Sequence, residues 1–474
     1  MRATIQEFAT DHSPDSLAAS LREELGVVLL RTRTFDAPSS RYSLVAARPF
    51  LTFRNFGSRC EIRGQSDGLR TQFGDPWLLL GSLLAGYELL DELDHPFPLG
   101  GCFGYWGYEL NQFVEPRLAR RAINDLELPD CHLGFYDSLV LFDHQAGKTW
   151  VIATGLEPDG SRSADQARRQ VTYWRERLAA CPPPAGPPSP ARSHSGTASS
   201  LSRGEFLAAV RRAQRYICQG DIYQVNLAQR FTAACPTDPW TYYEHLSAAS
   251  PSPFSAWIDC GDFQVASSSP ELFLRLSGSH VLTRPIKGTR PRSADPDEDA
   301  RFTHELLRSE KEMAELVMIT DLLRNDLGRV CEYGSVTVPE LVRLERYRHV
   351  QHLVSTVEGR LRPEVTHLDA LASCFPGGSI TGAPKIRAME IIDELEPVTR
   401  GPYCGAHGYL GFNRESQLSI TIRTAVLRDG RAWFHTGAGI VADSIPEAEY
   451  EETLAKAAGL LTALTLVPIL QPTR

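Results

Sequence analysis

The sequence predicts an α+β fold, an α/β complex of intermixed elements with large and mostly antiparallel sheets. Strand-like runs at Leu51–Phe56, Ser138–Asp143 and residues 150–154 are separated by turn residues. Residues 417–427 and 432–437 flank Asp429-Gly430, a pair typical of a tight hairpin turn. Helical and strand segments follow one another without the regular βαβ rhythm of a Rossmann fold.

The composition is that of a globular protein. The chain has 474 residues, a formal net charge of −9 and 42% hydrophobic residues, enough for two or three domains at roughly 150 residues each. Because the chain is acidic, no nucleic-acid partner is expected. The first 25 residues show no basic segment leading into an apolar one, so neither a secretion signal nor a membrane partner is expected. The ten cysteines are scattered without a CxxC pair, which indicates reduced thiols in a cytoplasmic protein.

One low-complexity stretch divides the chain. Residues 181–200, CPPPAGPPSPARSHSGTASS, are rich in Pro, Ser and Gly, which predicts an extended and solvated linker. It separates an N-terminal region, residues 1–180, from a C-terminal domain, residues 201–470. This division is the domain organisation that the sequence predicts.

Two long helices are predicted in the C-terminal part. The first opens at Asp295-Pro296 and runs to about residue 326, because Pro is favoured at the first helical position. Ser444 and Glu447 form an S-x-x-E capping box before the largely apolar run 454–464, which predicts the start of the second helix.

The common nucleotide and hydrolase motifs are absent. Residues 377–385, GGSITGAPK, lack the spacing of a phosphate loop, and no GxGxxG follows a strand. No GxSxG elbow or HExxH motif occurs either. Two places still offer backbone N–H groups to an anion: the helix start near Pro384 and the segment Gly437-Ala438-Gly439. Either alone is more often a simple turn, and the sequence leaves both interpretations open.

Two pairs of glutamates have helical spacing. Glu312 and Glu315 lie three residues apart, and so do Glu449 and Glu452, so each pair shares a helix face. If the two faces converge, the four acids would surround a hard cation such as Mg²⁺. A solvated acidic face is the alternative, and the spacing does not decide between them.

Lysine is rare, which draws attention to each one. The five are Lys148, Lys287, Lys311, Lys385 and Lys456. Lys287 lies in RPIKGTRPR, where Arg284, Arg290 and Arg292 are expected to disfavour its ammonium form and so favour a nucleophilic amine. Glu271, after Ser269-Pro270 at a strand end, is a candidate general acid. A basic surface loop and an ordinary salt-bridging glutamate are the alternatives.

Ordered motifs across the C-terminal part resemble the chorismate-utilising enzymes. They include Ser269-Pro270-Glu271, PIKGTRPR from Pro285, FPGGSITGAPK from Phe375, SITIRTA from Ser419 and GAGIVADSIPEAEYEET from Gly437. That family contains component I of anthranilate synthase and of aminodeoxychorismate synthase, together with isochorismate and salicylate synthases. The resemblance implies the fold of the family, in which the antiparallel sheets pack as a sandwich with helices outside.

The resemblance also implies a reaction. The residue before Gly-Thr in PI-x-GT distinguishes the members, and a Lys there, Lys287, resembles the aminodeoxychorismate synthase branch. Glu271 would then protonate the departing C4 hydroxyl of chorismate while the Lys287 amine attacks C2, and ammonia would displace Lys287 to give 4-amino-4-deoxychorismate for 4-aminobenzoate and folate synthesis. Anthranilate synthases typically carry Ala at this position and are the closest alternative. A non-catalytic regulatory homologue is the second alternative.

A metal site and a substrate site follow from the same resemblance. Mg²⁺ would bind the ring carboxylate of chorismate, held by four glutamates: Glu315 and Glu452 directly, Glu312 and Glu449 through water. Tyr409 and Arg423 would grip the enolpyruvyl carboxylate. The other implied substrate contacts are Gly288, Thr289, His352, Ser379, Gly437, Ala438 and Gly439.

Partners and a second ligand site complete the implications. The sequence has no G-x-C-x-G elbow of a glutamine amidotransferase, so ammonia is expected from a separate glutaminase subunit that docks on this chain, or from free ammonia. Family members bind tryptophan in the N-terminal part, and the corresponding positions here are Thr32, Ser39, Ser40, Arg41, Tyr42, Pro253, Phe254 and Ser255. Leu30-Arg31-Thr32 departs from the Leu-Glu-Ser motif of feedback-regulated members, so tight inhibition is not expected.

Overall fold

The computed structural model describes residues 2–32, 41–64, 68–181, 196–347 and 350–465. Its strands, labelled β1 to β24 in chain order, are Thr4–Glu7, Val28–Arg31, Tyr42–Ala46, Leu51–Phe56, Arg59–Gly64, Gly68–Phe73, Gly101–Trp106, Cys131–Tyr136, Ser138–Asp143, Lys148–Ala153, Thr197–Ser199, Gln224–Ala234, Phe254–Asp259, Gln264–Ser269, Leu272–Ser277, His280–Arg284, Ile286–Pro291, Thr337–Arg346, Val350–Arg360, Gly382–Ala383, Ala406–Gly411, Glu415–Ile420, Thr424–Arg428 and Arg431–Ile440. Its α-helices, labelled α1 to α11, are Pro14–Ser20, Pro76–Ala85, Asn111–Val114, Ala164–Ala179, Arg203–Cys218, Pro239–Ala249, Pro296–Leu307, Glu310–Gly328, His367–Cys374, Lys385–Leu395 and Pro446–Thr465.

The strands form two sheets of twelve. In the first sheet the order is β1-β10-β9-β3-β2-β13-β14-β23-β24-β12-β11, with β20 also paired to β12. In the second sheet it is β17-β19-β16-β15-β22-β21-β7-β8-β4-β5-β6, with β18 also paired to β19. The pairs in both sheets are antiparallel, as the sequence predicted.

The two sheets pack face to face, and helices cover the outside. Alternation along β9 shows the arrangement, because successive side chains of a strand point to opposite faces. Leu139 and Leu141 join the main core cluster, together with Phe53 of β4 and Phe103 of β7 from the other sheet. Val140 and Phe142 join a second cluster with side chains of the helices, among them Leu17 of α1, Trp174 of α4, Tyr242 of α6 and Leu460 of α11. The predicted sandwich with helices outside is confirmed.

Several local predictions are confirmed at the level of single elements. β4 and β9 have the predicted bounds, and the strand predicted at 150–154 is β10, which begins at Lys148. The hairpin turn between β23 and β24 has positive φ at both Asp429 (51°) and Gly430 (69°), the backbone of a type I′ turn.

The long helix predicted from Asp295 is two helices. Asp295 caps α7 with Pro296 at its first position, but α7 ends at Leu307 and α8 starts anew at Glu310. The Ser309 side chain accepts the backbone N–H of Glu312 and so caps α8. The sequence pattern alone predicted one continuous helix, but Ser309 caps the start of a second one.

The predicted capping box at Ser444 is also wrong in its partner. Helix α11 begins at Pro446, and the Ser444 hydroxyl donates to the carboxylate of Glu449 at 2.6 Å rather than pairing with Glu447. The Val441 N–H donates to the same hydroxyl at 3.0 Å. Ser444 therefore fixes the approach to the helix through Glu449, one of the four acids predicted to hold a metal.

Two chain segments pass together from one sheet to the other. β14 pairs with β23 in the first sheet, and β15 pairs with β22 in the second. Between them, the Ser268 N–H donates to the carbonyl of Arg423 and the Ile420 N–H donates to the carbonyl of Glu271, both at 3.1 Å. Residues 417–427, predicted as one hairpin arm, therefore cross between the sheets at 421–423.

The sequence division at 181–200 does not separate the sheets. Strands from before and after this stretch lie side by side in each sheet, as in the pairs β2·β13 and β7·β21. At the end of the predicted linker, Thr197–Ser199 form β11 and pair with β12. In the ranges the model describes, no helix is both long and apolar enough to cross a membrane.

Candidate active site

A cavity of about 770 Å³ lies where the two sheets meet helices α8 and α11. Its wall contains most of the residues that the sequence predicted for the site. The predicted residues that line it are Glu271, Lys287, Gly288, Thr289, Glu312, Glu315, His352, Ser379, Arg423, Gly437, Gly439 and Glu452. Residues up to 181 positions apart in the sequence, from Glu271 to Glu452, thus converge on one space.

Lys287 is presented to this cavity by a β-bulge. On β17, Lys287 pairs with Leu353 and Thr289 pairs with His352, so that Gly288 is an extra residue without an opposite partner. Gly288 has a φ of 68°, and a Cβ there would lie 2.7 Å from Leu306 Cδ1. Only glycine fits both requirements. The Lys287 Nζ lies 3.5 Å from Glu315 Oε2, inside the cavity.

The arginines around Lys287 do not act as the sequence predicted. Each one has its own carboxylate: Arg284 with Glu345 at 2.5 Å, Arg290 with Glu312 at 3.6 Å, and Arg292 with Asp299 at 2.7 Å. Their charge is therefore compensated, and the charge in contact with the Lys287 amine is the carboxylate of Glu315. The sequence therefore did not reveal that each of the three arginines is paired with a carboxylate.

Glu271 lies in the crossing segment between β14 and β15, and it is buried. Burial raises its pKa, while a hydrogen bond from Ser379 and the nearby charge of Lys287 oppose the rise. A carboxyl group that keeps its proton to a higher pH than usual is suited to act as a general acid. Ser379, predicted as a substrate contact, thus also contacts the acid.

The imidazole of His352 is neutral in this environment. Its Nδ1 lies 2.8 Å from the Thr289 hydroxyl, which links β19 to β17 beside the bulge. Burial, reinforced by the charge of Arg423, lowers its pKa to about 4. His352 therefore contributes hydrogen bonds to the cavity near neutral pH, and no charge.

Arg423 is a buried cation that remains open to an anionic ligand. It lies in the crossing segment before β23, with a φ of 50°. Among the described residues, no Asp or Glu forms an ion pair with its guanidinium, and burial lowers its pKa. Because a buried charge without a counterion is costly, a carboxylate entering the cavity here gains a desolvated partner.

Tyr409 does not lie with Arg423, which corrects the predicted pair. Its ring stacks on Phe103 at 5.4 Å and lines a different cavity. Tyr403 lines the active-site cavity instead, where its hydroxyl bonds with Asn226 and its ring stacks on His435 at 5.2 Å. The sequence prediction used the tyrosine inside the Gly-rich motif GAHGYLG, which is Tyr409. The tyrosine that lines the active-site cavity is Tyr403, just before that motif.

Ala438 is a second correction. Gly437 and Gly439 line the cavity, but the intervening Ala438 is fully buried in the core between the sheets. Strand alternation on β24 explains this, because neighbouring residues face opposite sides. The sequence had treated all three as one segment of exposed backbone.

The predicted metal ligands come together only in part. Glu312 and Glu315 on α8 and Glu452 on α11 line the cavity, whereas Glu449 is buried and hydrogen-bonded by Ser444, and burial raises its pKa. Each lining glutamate is paired with a cation, Glu452 with Lys456 at 2.7 Å. Within the described ranges, no three His, Cys, Asp or Glu side chains are grouped closely enough to hold a metal ion. The donors are nevertheless carboxylate oxygens from two facing helices, the ligand type that Mg²⁺ prefers.

Two lysines in the cavity were not predicted as site residues. Lys311 and Lys456 line it beside Lys287, and the Lys456 Nζ donates to the Gly437 carbonyl at 3.0 Å. Three of the five lysines of the chain thus lie in one cavity. The scarcity of lysine in the sequence is the signal that could have identified Lys311 and Lys456 as site residues.

A second cavity, of about 430 Å³, contains the positions predicted to bind tryptophan. Thr32, Arg41, Tyr42, Pro253, Phe254 and Ser255 line it. Ser39 and Ser40 fall outside the described residues. Arg275, Glu415 and His407 add polar groups to its wall.

The comparison with known families decides the relationship. A family model described as "chorismate binding enzyme" matches residues 51–462. The chain belongs to this family. Among the relatives of this chorismate binding enzyme is an anthranilate synthase component 1 of Thermus thermophilus, 42% identical over 457 residues, covering 96% of each chain. An aminodeoxychorismate synthase component 1 of Klebsiella aerogenes is 42% identical over 438 residues, covering 92% of this chain and 93% of the relative.

A solved structure supports the same assignment. Anthranilate synthase component I from Streptococcus pneumoniae matches with a TM-score of 0.78 at 33% identity, over 90% of this chain and 93% of that one. The family membership of this chorismate binding enzyme is thus shown. Its individual reaction is not decided by similarity, because relatives with two different names reach the same identity.

Proposed function

We propose that this chorismate binding enzyme is an aminodeoxychorismate synthase component I. It converts chorismate and ammonia to 4-amino-4-deoxychorismate, the precursor of 4-aminobenzoate in folate synthesis. The observation that carries the proposal is the Lys287 amine in a cavity of about 770 Å³ with the buried acid Glu271 in the same wall. The Klebsiella aerogenes relative with this name supports it.

In the first step, the unprotonated Lys287 amine forms a bond to C2 of chorismate. The ring double bonds shift, the bond from C4 to its hydroxyl oxygen breaks, and Glu271 gives its proton to the departing oxygen, which leaves as water. In the second step, ammonia adds at C4, the double bonds shift back and the C2–N bond of the secondary ammonium breaks, which returns Lys287 as a neutral amine. The new C4 ammonium then gives a proton to the Glu271 carboxylate, which restores the acid. One difficult displacement is thus divided into two easier ones.

The substrate is held at its two carboxylates. Arg423, whose guanidinium has no ion pair among the described side chains, binds the enolpyruvyl carboxylate with the Tyr403 hydroxyl. Glu315 and Glu452 would hold Mg²⁺ directly, and Glu312 would hold it through water. Glu449, which does not line the cavity and accepts the Ser444 hydroxyl, would have to leave that hydrogen bond to take the water-mediated role implied by the family resemblance. When bound, the ion supplies positive charge for the ring carboxylate of chorismate.

Ammonia comes from a separate glutamine amidotransferase subunit that associates with this chain in the cytoplasm. Two features of the chain support this part of the proposal. Its sequence contains no amidotransferase cysteine motif, and none of its ten cysteines forms a disulfide, as expected in a reducing compartment. Free ammonium salts should replace the partner in the test tube.

Product analysis tests the proposal. The chain is incubated with chorismate, Mg²⁺ and ammonium, and a lyase that releases 4-aminobenzoate is then added. We expect 4-aminobenzoate, and anthranilate as the main product would overturn the assignment. Without ammonium, intact-protein mass spectra should show an adduct with the mass of chorismate minus water, and peptide mapping should locate it at Lys287.

Two lysine variants sharpen this experiment. Lys287→Ala should lose both the adduct and amination at C4. Lys148→Ala, on a surface strand in an ion pair with Glu7, is the matched control and should keep both. An adduct that persists in Lys287→Ala, or amination at an undiminished rate, would show that Lys287 is not the nucleophile. Adduct formation that does not depend on Mg²⁺ would remove the metal from the scheme.

Anthranilate synthase is the second candidate, and the Thermus thermophilus relative favours it. It would release anthranilate and pyruvate from the same substrate without a covalent enzyme intermediate. The same incubation separates the two candidates, because only the first predicts an adduct at Lys287.

A further inference from the structure

Lys385 is a lysine that lies neither in the active-site cavity nor at the surface. Three of the five lysines line the cavity, and Lys148 lies on an exposed strand. The Nζ of Lys385 donates to the carboxylate of Asp326 at 2.6 Å and to the backbone carbonyl of Cys374 at 3.0 Å. The exposed fractions of the Lys385 and Asp326 side chains are 12% and 3%. The chain therefore contains a buried ion pair close to the cavity but outside its wall.

The three bonded groups belong to three helices. Asp326 lies near the end of α8, Cys374 is the last residue of α9, and Lys385 is the first residue of α10. Helix α8 also carries two of the glutamates in the cavity wall. Cys374 and Lys385 flank residues 375–384, here called the connecting segment. One ammonium group therefore joins both ends of the connecting segment to the helix that presents two acids to the cavity.

The connecting segment packs closely between the second sheet and α8. A Cβ on Gly377 would lie 2.5 Å from Ile420 Cδ1 of β22. A Cβ on Gly378 would lie 2.6 Å from Leu322 Cδ2 of α8. The segment therefore meets both neighbours with bare backbone at these two positions, and neither position has a side chain that could fix its placement.

Ser379 follows these two glycines, and it contacts the acid of the proposed reaction. Its hydroxyl is hydrogen-bonded to the carboxyl group of Glu271. The second half of the connecting segment is held from another side, because β20 pairs with β12. The first half, which contains Ser379, starts next to the Cys374 carbonyl that Lys385 binds. A shift of this end along α8 would therefore move Ser379 relative to Glu271.

Stability alone does not account for this ion pair. Two buried charges lose their hydration, and apolar side chains of similar size often stabilise a fold equally well. Apolar side chains do not supply direction, whereas the ammonium donates to a carboxylate on one helix and to a carbonyl on another. We propose that Lys385 and Asp326 are positioning residues, which hold the connecting segment on α8 and so place Ser379 at the buried acid. The inference rests on the proposed function only in that Glu271 protonates the departing hydroxyl.

Removal of both charges together tests the proposal. Met and Leu are apolar side chains close in shape to Lys and Asp, so Lys385→Met with Asp326→Leu leaves no buried charge unpaired. Quenched intact-protein mass spectra give the rate of adduct formation at Lys287 without ammonium. At saturating chorismate this rate should fall by about tenfold or more, as expected for the loss of one hydrogen bond to a group that becomes charged. The chorismate concentration at half-maximal rate and the urea midpoint of unfolding should change little.

Two comparisons separate positioning from a structural role. Arg387→Met with Asp221→Leu removes a partly exposed ion pair of the same helix, at 2.8 Å, and should behave as the wild type. Ser379→Ala should slow adduct formation as much as removal of the buried pair does. Combining Ser379→Ala with that removal should slow it no further, because the pair acts through this serine. A merely structural pair would instead lower the urea midpoint and add its effect to that of Ser379→Ala.

An unchanged adduct rate after removal of the buried pair overturns the proposal, and so does slowing that adds in full to that of Ser379→Ala. If that variant does not fold, Asp326→Glu decides, because it keeps both charges and displaces the ammonium by about one methylene. Slower adduct formation in Asp326→Glu supports the positioning role, and a wild-type rate overturns it. If the wild type makes anthranilate from chorismate and ammonium without an adduct, the proposed function falls. The same comparisons on the rate of anthranilate formation then decide the positioning role, because that reaction also expels the C4 hydroxyl.

Discussion

Glu109→Gln should remove the pH dependence of stability that the buried acid imposes on the fold. The side chain is buried, its Oε2 has no hydrogen-bond partner among the described residues, and its pKa is raised by burial from 4.5 to about 8. The amide has nearly the same shape and can still accept the N–H of Arg400. The substitution therefore removes the titration with little change in packing.

The sign follows from the raised pKa. Above about pH 4.5 the carboxyl ionises in the unfolded chain, whereas the native carboxyl keeps its proton until about pH 8. Ionisation therefore favours the unfolded chain, and the wild type loses stability as pH rises through this window. Since one pKa unit corresponds to about 1.4 kcal/mol, the full loss is about 5 kcal/mol, and about 3 kcal/mol of it falls between pH 5.5 and 8.5.

Urea-induced unfolding of both proteins at about pH 5.5 and about pH 8.5 measures this difference. The free energy of unfolding of Glu109→Gln, relative to the wild type, should rise by about 3 kcal/mol between the two conditions. Glu88→Gln, at a partly exposed ion pair, should change by less than about 1 kcal/mol. A relative stability of Glu109→Gln that is constant with pH, or that falls, would refute the view that Glu109 is buried as a neutral acid.

Two further predictions concern the active-site cavity. Gly288→Ala should destabilise the protein by more than about 1–2 kcal/mol and slow adduct formation, because alanine meets a strained φ of 68° and Leu306 at 2.7 Å. Gly278→Ala, with a φ of 55° and no neighbour within 4 Å, isolates the backbone cost, and thermal unfolding that ranks both variants alike would contradict the account. Tyr403→Phe should raise the KM for chorismate by about tenfold or more, since a hydrogen bond to a charged group is worth about 1.5–3 kcal/mol. Tyr409→Phe should not, and steady-state kinetics showing the reverse would restore the original pair.

The features that the sequence predicted well depend on residues close together in the chain. The hairpin at Asp429-Gly430 formed because both residues tolerate the positive φ that a type I′ turn requires. The strand-like run Ser138–Asp143 was predicted between turn residues, and it forms β9 with these bounds. Lys287, a candidate nucleophile because of its place in PIKGT, lines the cavity.

The failures have a different physical origin. Tyr409 and Tyr403 are six residues apart in one Gly-rich segment, and only the approach of β24 from the other sheet decides which ring meets the cavity. Likewise, the partner of Arg284 is Glu345 of β18, 61 residues away, which the local spacing of charges does not reveal. Predictions that depend on which distant element arrives at a residue failed, and so did two local ones, the single helix from Asp295 and the Ser444 capping box.

The two crossing segments explain why the chemistry lies where it does. Glu271 and Arg423 occupy the two short connections that leave one sheet and enter the other, and backbone hydrogen bonds tie these connections together. Inside a sheet, a side chain must face either the core or the helices. At the crossing it does neither, so an acid and a cation can be held rigidly while facing an open cavity. The sandwich therefore supplies the site with fixed polar groups at a seam where the packing of the core does not require apolar ones.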